Sequence, residues 1–421
     1  MVVLAIQRNA AQASDSGTPA QHYLKQQQTA QQLFQSGKLT EYASHLQAMT
    51  KEYPNKSNLL PRLAAVYVQL SQDDKANEAL QRFAQMGGTL AFRDPNLKQF
   101  RDARKLKNLD QIESNGKPKS SGSRVFALAD PNLLTEDIAY DPKTGHIFLS
   151  SVHERKILNC SAKGACEVFA ANSAQLPLLG MLALQVDPVR RTLWATSVGM
   201  KMASDLQDSD DGRSALLKFN VDSGKLLGRF EPAGDGKHAL GDMTLGADGT
   251  AYVADGLSGD VFVLKPDATK LLELVPHGTF VSPQTPALSA DGAILYVPDY
   301  TRGIALVHLQ NQTVEWVTSA VPIALDGIDG LYVIGADQLI AVQNGTQPER
   351  IVSFHLRSAR EIDGFKVLEA NWKGLGDPTH GVKTNDTFYF IVNSGWDRMD
   401  DDGKFAAGDP AQVWKLDLSQ L

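Results

Sequence analysis

One strand–turn–strand unit recurs six times in the C-terminal part of the chain, and that recurrence leaves few folds open. Each copy begins at a small or polar residue, runs through an apolar strand, turns at Asp or Gly, and returns through a second apolar strand. The copies are EDIAYDPKTGHIFLSS, LGMLALQVDPVRRTLWATS, GDMTLGADGTAYVADG, QTPALSADGAILYVPDY, LDGIDGLYVIGADQLIAV and HGVKTNDTFYFIVNS. Aligned on their first strands, the leading positions are Glu136, Leu182, Gly241, Gln284, Asp326 and His380. The spacings of 46, 59, 43, 42 and 54 residues suit four-stranded blades joined by loops of variable length. The expected fold is mainly β, a six-bladed β-propeller over residues 123–421. The final QVWKLDL is expected to pair with SRVFALAD near 123–130, which closes the ring and removes open sheet edges.

The preceding residues follow a helical rhythm. Thr18-Pro19 suits a capped helix start, and Gly37 a helix end. Further helices are expected from Thr40 to before Pro54, over 58–71, over 73–86, and from Asp94-Pro95 onward. A period of 34 is visible: Ala30, Leu33, Leu46 and Met49 recur as Ala64, Tyr67, Leu80 and Phe83. Leu60, Leu63, Ala64, Tyr67, Ala76, Leu80 and Phe83 resemble the packing positions of the tetratricopeptide repeat, so 18–107 reads as a small α-helical, TPR-like module. Such arrays usually need about three repeats to stand alone. With about two, this one is expected to lean on the propeller, and its functional use would be docking a protein partner. Residues 108–122, NLDQIESNGKPKSSG, are polar with Gly, Pro and Ser and read as a linker.

Charge divides the chain. Residues 1–120 hold 16 Lys and Arg against 10 Asp and Glu, and the remainder holds 25 against 38. An acidic propeller argues against nucleic-acid binding, which needs clustered cations, and suits a metal ion or a small molecule. No apolar run of about 18 residues exists to span a membrane. Cys160 and Cys166 flank a hairpin with Gly164 near its tip, where a disulfide can form. The start, MVVLAIQRNAAQA, ends in an Ala-Gln-Ala step, so residues 1–17 read as a truncated export signal or a disordered segment. Both features point to a periplasmic or secreted protein.

The units EDIAYDP, GADGTAYVAD, SADGAILYVPDY and LDGIDGLYV resemble those of the regucalcin/gluconolactonase propellers, with NHL-repeat proteins sharing much of the pattern. In a propeller the leading residues of the inner strands gather at one mouth of the central channel. That places Glu136, Gln284, Asp326 and His380 in one ring, a set suited to a divalent cation. The resemblance implies a metal held by Glu136 and Asp326, with Asp326 also the general base of lactone opening. Where the family has two Asn ligands this chain has Gly241, with Asp242 beside it, and Gln284; where it has a substrate-binding Arg this chain has Ala239.

The expected metal ligands are therefore Glu136, Asp242, Gln284 and Asp326, and the expected catalytic residues are Asp326 and His380. The cofactor would be a divalent ion, with calcium among the candidates. Trp396 is a candidate wall for a small-molecule ligand. Two functions follow from this reading. One is a metal-dependent hydrolase of a small lactone or ester acting at the channel. The other is a non-catalytic binding or interaction scaffold that uses the helices and the propeller.

Overall fold

The computed structural model describes residues 17–400 and 404–421. The expected start signal therefore lies, but for Gly17, outside the described residues. Six helices come first: α1 (Pro19–Gln35), α2 (Leu39–Glu52), α3 (Leu59–Gln69), α4 (Asp73–Gln85), α5 (Pro95–Asp102) and α6 (Leu109–Asn115). Thr18 caps α1 in a reciprocal box with Gln21, and Pro19 needs no amide partner in the first turn. Asp94 caps α5 by accepting from the amides of Asn96 and Leu97. The helices share one apolar core that includes Leu46, Leu63, Tyr67, Leu80 and Phe100. α6 falls inside the segment that reads as linker. Its polar composition hides one apolar anchor, Ile112, which is buried against that core. Asn115 then ties it down by donating to the carbonyls of Ala84 and Gly88.

The rest of the chain forms six blades. Their innermost strands are Ile138–Asp141, Gly180–Asp187, Leu240–Leu245, Ala287–Leu288, Ile328–Val333 and Gly381–Lys383. Blades 1 to 4 are four-stranded meanders, and blade 5 gains a short parallel strand, Thr318–Ser319. In blade 6 the outermost strand comes from the start of the propeller: Ser123–Ala127 pairs with Gln412–Asp417, joining Ser123 to Lys415 and Ala127 to Gln412. This is the expected closure, and it leaves the ring without a free end. Cys160 and Cys166 sit directly opposite each other in blade 1 and are disulfide-bonded.

The helices dock on the face of the ring where the inner strands begin. The second strand of each blade runs antiparallel to the first, so it ends on that same face. The contacts fall at both kinds of turn. Before inner strands, Ala20 donates to the carbonyl of Gly278, Leu325 to that of Asn55, and Asn371 to that of Asn115. Between second and third strands, the Lys56 ammonium donates to the carbonyl of Thr301, Thr89 to that of Gln347, and the Arg350 guanidinium to that of Met86. At the centre of the junction the fully buried Asp326 carboxylate accepts from the Ser57 amide and hydroxyl, both at 2.9 Å, and from the Asn58 amide at 3.4 Å. These donors enter the N-terminus of α3, where an anion is favoured.

Asp326→Ala would strand buried donors on the helical side. The expected cost is about 1–3 kcal/mol, read as a lower urea midpoint, with earlier proteolysis of the helices. An unchanged midpoint and cleavage pattern would contradict this role.

Candidate functional site

Five ionisable side chains meet on the propeller axis. Glu136 and Asp137 lead into the first inner strand, Asp242 lies near the start of the third, Asp329 near the start of the fifth, and His380 just before the sixth. Their exposures are 8, 7, 5, 8 and 2% respectively.

His380 is the hub. Its Nδ1 lies 3.0 Å from the Glu136 carbonyl and its Nε2 lies 2.8 Å from Asp242 Oδ1. Both partners only accept, so an imidazole that satisfies both carries a proton on each nitrogen. Burial opposes that charge. Asp329, Asp137 and Asp242 outweigh it and hold the His380 pKa well above its ordinary value.

The carboxylates are each anchored. Thr379 Oγ1 donates to the Glu136 carbonyl at 2.7 Å, and the Trp396 indole donates to Glu136 Oε2. Asp137 accepts from the amides of Ile138 and Leu184, both at 2.7 Å, which bridges blades 1 and 2. The Thr285 hydroxyl donates to Asp242 at 2.6 Å. Asn344 donates to Asp329 at 2.6 Å and accepts from the Tyr300 hydroxyl at 3.0 Å. Burial, with Asp329 adding to it, pushes Glu136 up to about 8. Burial pushes Asp329 up to about 7 and Asp137 up to about 6. Ionised together, these four carboxylates would exceed the single positive charge of His380.

One ligand atom from each of Glu136, Asp329 and His380 lies within 4.8 Å of the others, close enough to hold a metal ion. Two carboxylates and an imidazole fit a divalent transition ion, whereas the carboxylates without the imidazole suit calcium or magnesium. Uncompensated buried carboxylates favour a cation here. Ligation by His380 would cost it one proton and one of its two hydrogen bonds.

The sequence-predicted residues separate at this point. Glu136, Asp242 and His380 converge. Asp326 does not; it lies at the helical junction, and Asp329 stands in the ring instead. The reason is local. Gly327, at a φ of +65°, turns the chain against Gly345, so closely that a Cβ at 327 would lie 2.5 Å from the Gly345 backbone. The strand begins only afterwards, and it carries a bulge between Ile328 and Gly330. Gln284 turns its amide back to the Ser282 hydroxyl at 3.0 Å and carbonyl at 3.3 Å. Sequence reasoning missed Asp137, Thr285, Asp329 and Asn344. Asp329 was within reach, because LDGIDGL holds two Asp-Gly pairs three residues apart.

An apolar patch borders the ring. Its buried part includes Leu134, Leu182, Met202 and Met399, and its half-buried part Met200, Ala239, Trp396 and Phe405.

No protein-family profile matches the chain, and no curated protein sequence matches it. Solved structures do. A gluconolactonase from Xanthomonas campestris aligns over 72% of this chain and 98% of its own, at 15% identity and a TM-score of 0.47. A structural-genomics protein with a provisional gluconolactonase assignment aligns over 71 and 92%, at 17% identity and a TM-score of 0.48. A PQQ-bound aldose sugar dehydrogenase from Streptomyces coelicolor aligns over 71 and 99%, at 14% identity and a TM-score of 0.46. These are likenesses of fold. The chain is a six-bladed propeller with gluconolactonases among its structural neighbours.

The raised carboxyl groups bind protons more tightly in the folded than in the unfolded chain. Their contribution is fully present below their unfolded pKa and is lost as pH rises through the folded values, toward about 8 for Glu136. Metal-stripped protein should therefore melt lower at pH 8.5 than at pH 6. Glu136→Gln should raise its melting temperature by about 2–4 °C at pH 8.5 and leave it unchanged near pH 5. A variant that melts alike at both pH values relative to the parent would contradict this.

Proposed function

We propose that this protein holds a divalent metal ion on the propeller axis and hydrolyses a small lactone or ester there, outside the cytosol. The observation that carries the reading is the convergence of Glu136, Asp329 and His380 within 4.8 Å. The Cys160–Cys166 disulfide supports a periplasmic or secreted setting. Glu136 and Asp329 would hold the ion, with His380 as a third ligand in exchange for one of its hydrogen bonds. When bound, the ion would polarise the ester carbonyl and acidify a water.

The chain's own residues would do the rest. Asp329 takes the general-base role that the resemblance gives to Asp326. Its carboxylate is oriented by Asn344, which donates to it at 2.6 Å. Asp242, fixed by Thr285, orients His380. The indole of Trp396 holds Glu136 and continues into the apolar patch, which would exclude water from the reacting carbonyl. With Ala239 where the family has a cationic substrate ligand, the patch favours an alkyl lactone over a sugar lactone.

One observation favours the scaffold reading: the ring residues are at most 8% exposed, and the helices dock on the same face. On that reading the axis is structural and the helices hold a partner. The two readings separate in one series. Calorimetric titration of EDTA-stripped protein with Mn²⁺ and Ca²⁺ should show one site on the hydrolase reading, lost in Glu136→Gln. Asp329→Asn, which removes both an ion ligand and the base, should weaken ion binding and lower kcat for an alkyl lactone by at least about 100-fold at saturating ion. No ion binding and no hydrolysis would leave the scaffold.

A further inference from the structure

Away from the axis, the helical module meets blade 5. A cleft of about 670 Å³ opens between α4, α6, the segment 118–121 and the outer strand Glu361–Ala370. Its lining includes Gly87, Gln111, Lys119, Ser120, Phe365 and Lys366. Both lysines are exposed, and among the described residues neither enters an ion pair. No carboxylate lines the cleft. The nearby Glu369 is already engaged by the amides of Ser121 and Gly122 and by the Trp372 indole.

Immediately behind this lining lies Arg350, 1% exposed. Its Nε donates to Gln343 at 2.8 Å and its Nη1 to the Met86 carbonyl at 2.9 Å. Nη2 is buried with no partner. A guanidinium stays charged in a protein, so an unpartnered N–H here is costly. The guanidinium lies over the Phe365 ring, 5.6 Å from its centroid. A Cβ on Gly87 would fall 2.5 Å from Nη1. Glycine backbone and the Phe365 ring therefore stand between the cleft and the buried cation.

We propose that this cleft binds a small molecule bearing an oxyanion group, a phosphate or a carboxylate, with Arg350 as the buried anchor and Lys119 and Lys366 as the outer cations. A planar fork with a free N–H is the group that recognises such anions, and the lysines add charge without fixing geometry. The ligand would bridge the helices and the propeller, so its binding would tighten the junction. The reading is independent of any metal at the axis.

The test uses full-length, metal-stripped protein and two probes, inorganic pyrophosphate and citrate, followed by calorimetry. At least one should bind saturably and raise the melting temperature, and the tighter of the two tells whether the site prefers phosphate or carboxylate. Arg350→Gln risks misfolding, so the decisive variant is Lys119→Gln/Lys366→Gln, both at exposed positions. It should keep the parent's melting temperature without ligand and weaken binding roughly ten-fold. Absence of saturable binding by either probe, or equal affinity in the variant, would overturn the proposal.

Discussion

Everything at the axis depends on keeping several carboxylates together out of water. An isolated buried carboxylate is so costly that it takes a proton or a partner. Here the partner is His380, which reaches the Glu136 carbonyl on one side and Asp242 on the other. That pair of contacts ties blade 6 to blades 1 and 3 across the channel. Asp137 adds a link to blade 2 through the Leu184 amide, and Thr285 brings in blade 4 through Asp242. The ring is thus held by polar bonds at its centre as well as by strand pairing at its closure. A divalent ion among Glu136, Asp329 and His380 would relieve the negative surplus.

The helical module depends on a different buried charge. The opposite net charges of the two parts suggest electrostatic docking, yet among the described residues no ion pair crosses the junction. The contacts are directional instead. Asp326 receives the start of α3, Arg350 donates to the end of α4, and Lys56 donates to the turn after the second strand of blade 4. Such bonds fix one orientation, where a diffuse attraction would leave many. They also set the helices on the mouth face.

The fold was largely legible in the sequence, because a propeller repeats its strand periodicity in every blade. The six units, the closure of 412–417 onto 123–127 and the starts of the first helices all follow from patterns of apolar spacing and turn residues. Exact inner positions were not legible, because bulges break the alignment. Shifts between Leu240 and Asp242 and between Ile328 and Gly330 move the ring residue away from the aligned leading position. That is how Asp242 rather than Gly241, and Asp329 rather than Asp326, reach the axis. Gln284 shows a second limit: a polar residue at the right depth can still satisfy itself on its own loop. Long-range pairs such as Arg350 with Met86 leave no local signal at all.

The proposed metal centre and a purely polar clasp around His380 differ in whether an ion sits between the carboxylates. The most direct measurement is anomalous X-ray diffraction from crystals equilibrated with Mn²⁺. A metal centre gives one strong peak between the carboxylates of Glu136 and Asp329, within bonding distance of both. No peak there, with His380 still bonded to the Glu136 carbonyl and to Asp242, would contradict it.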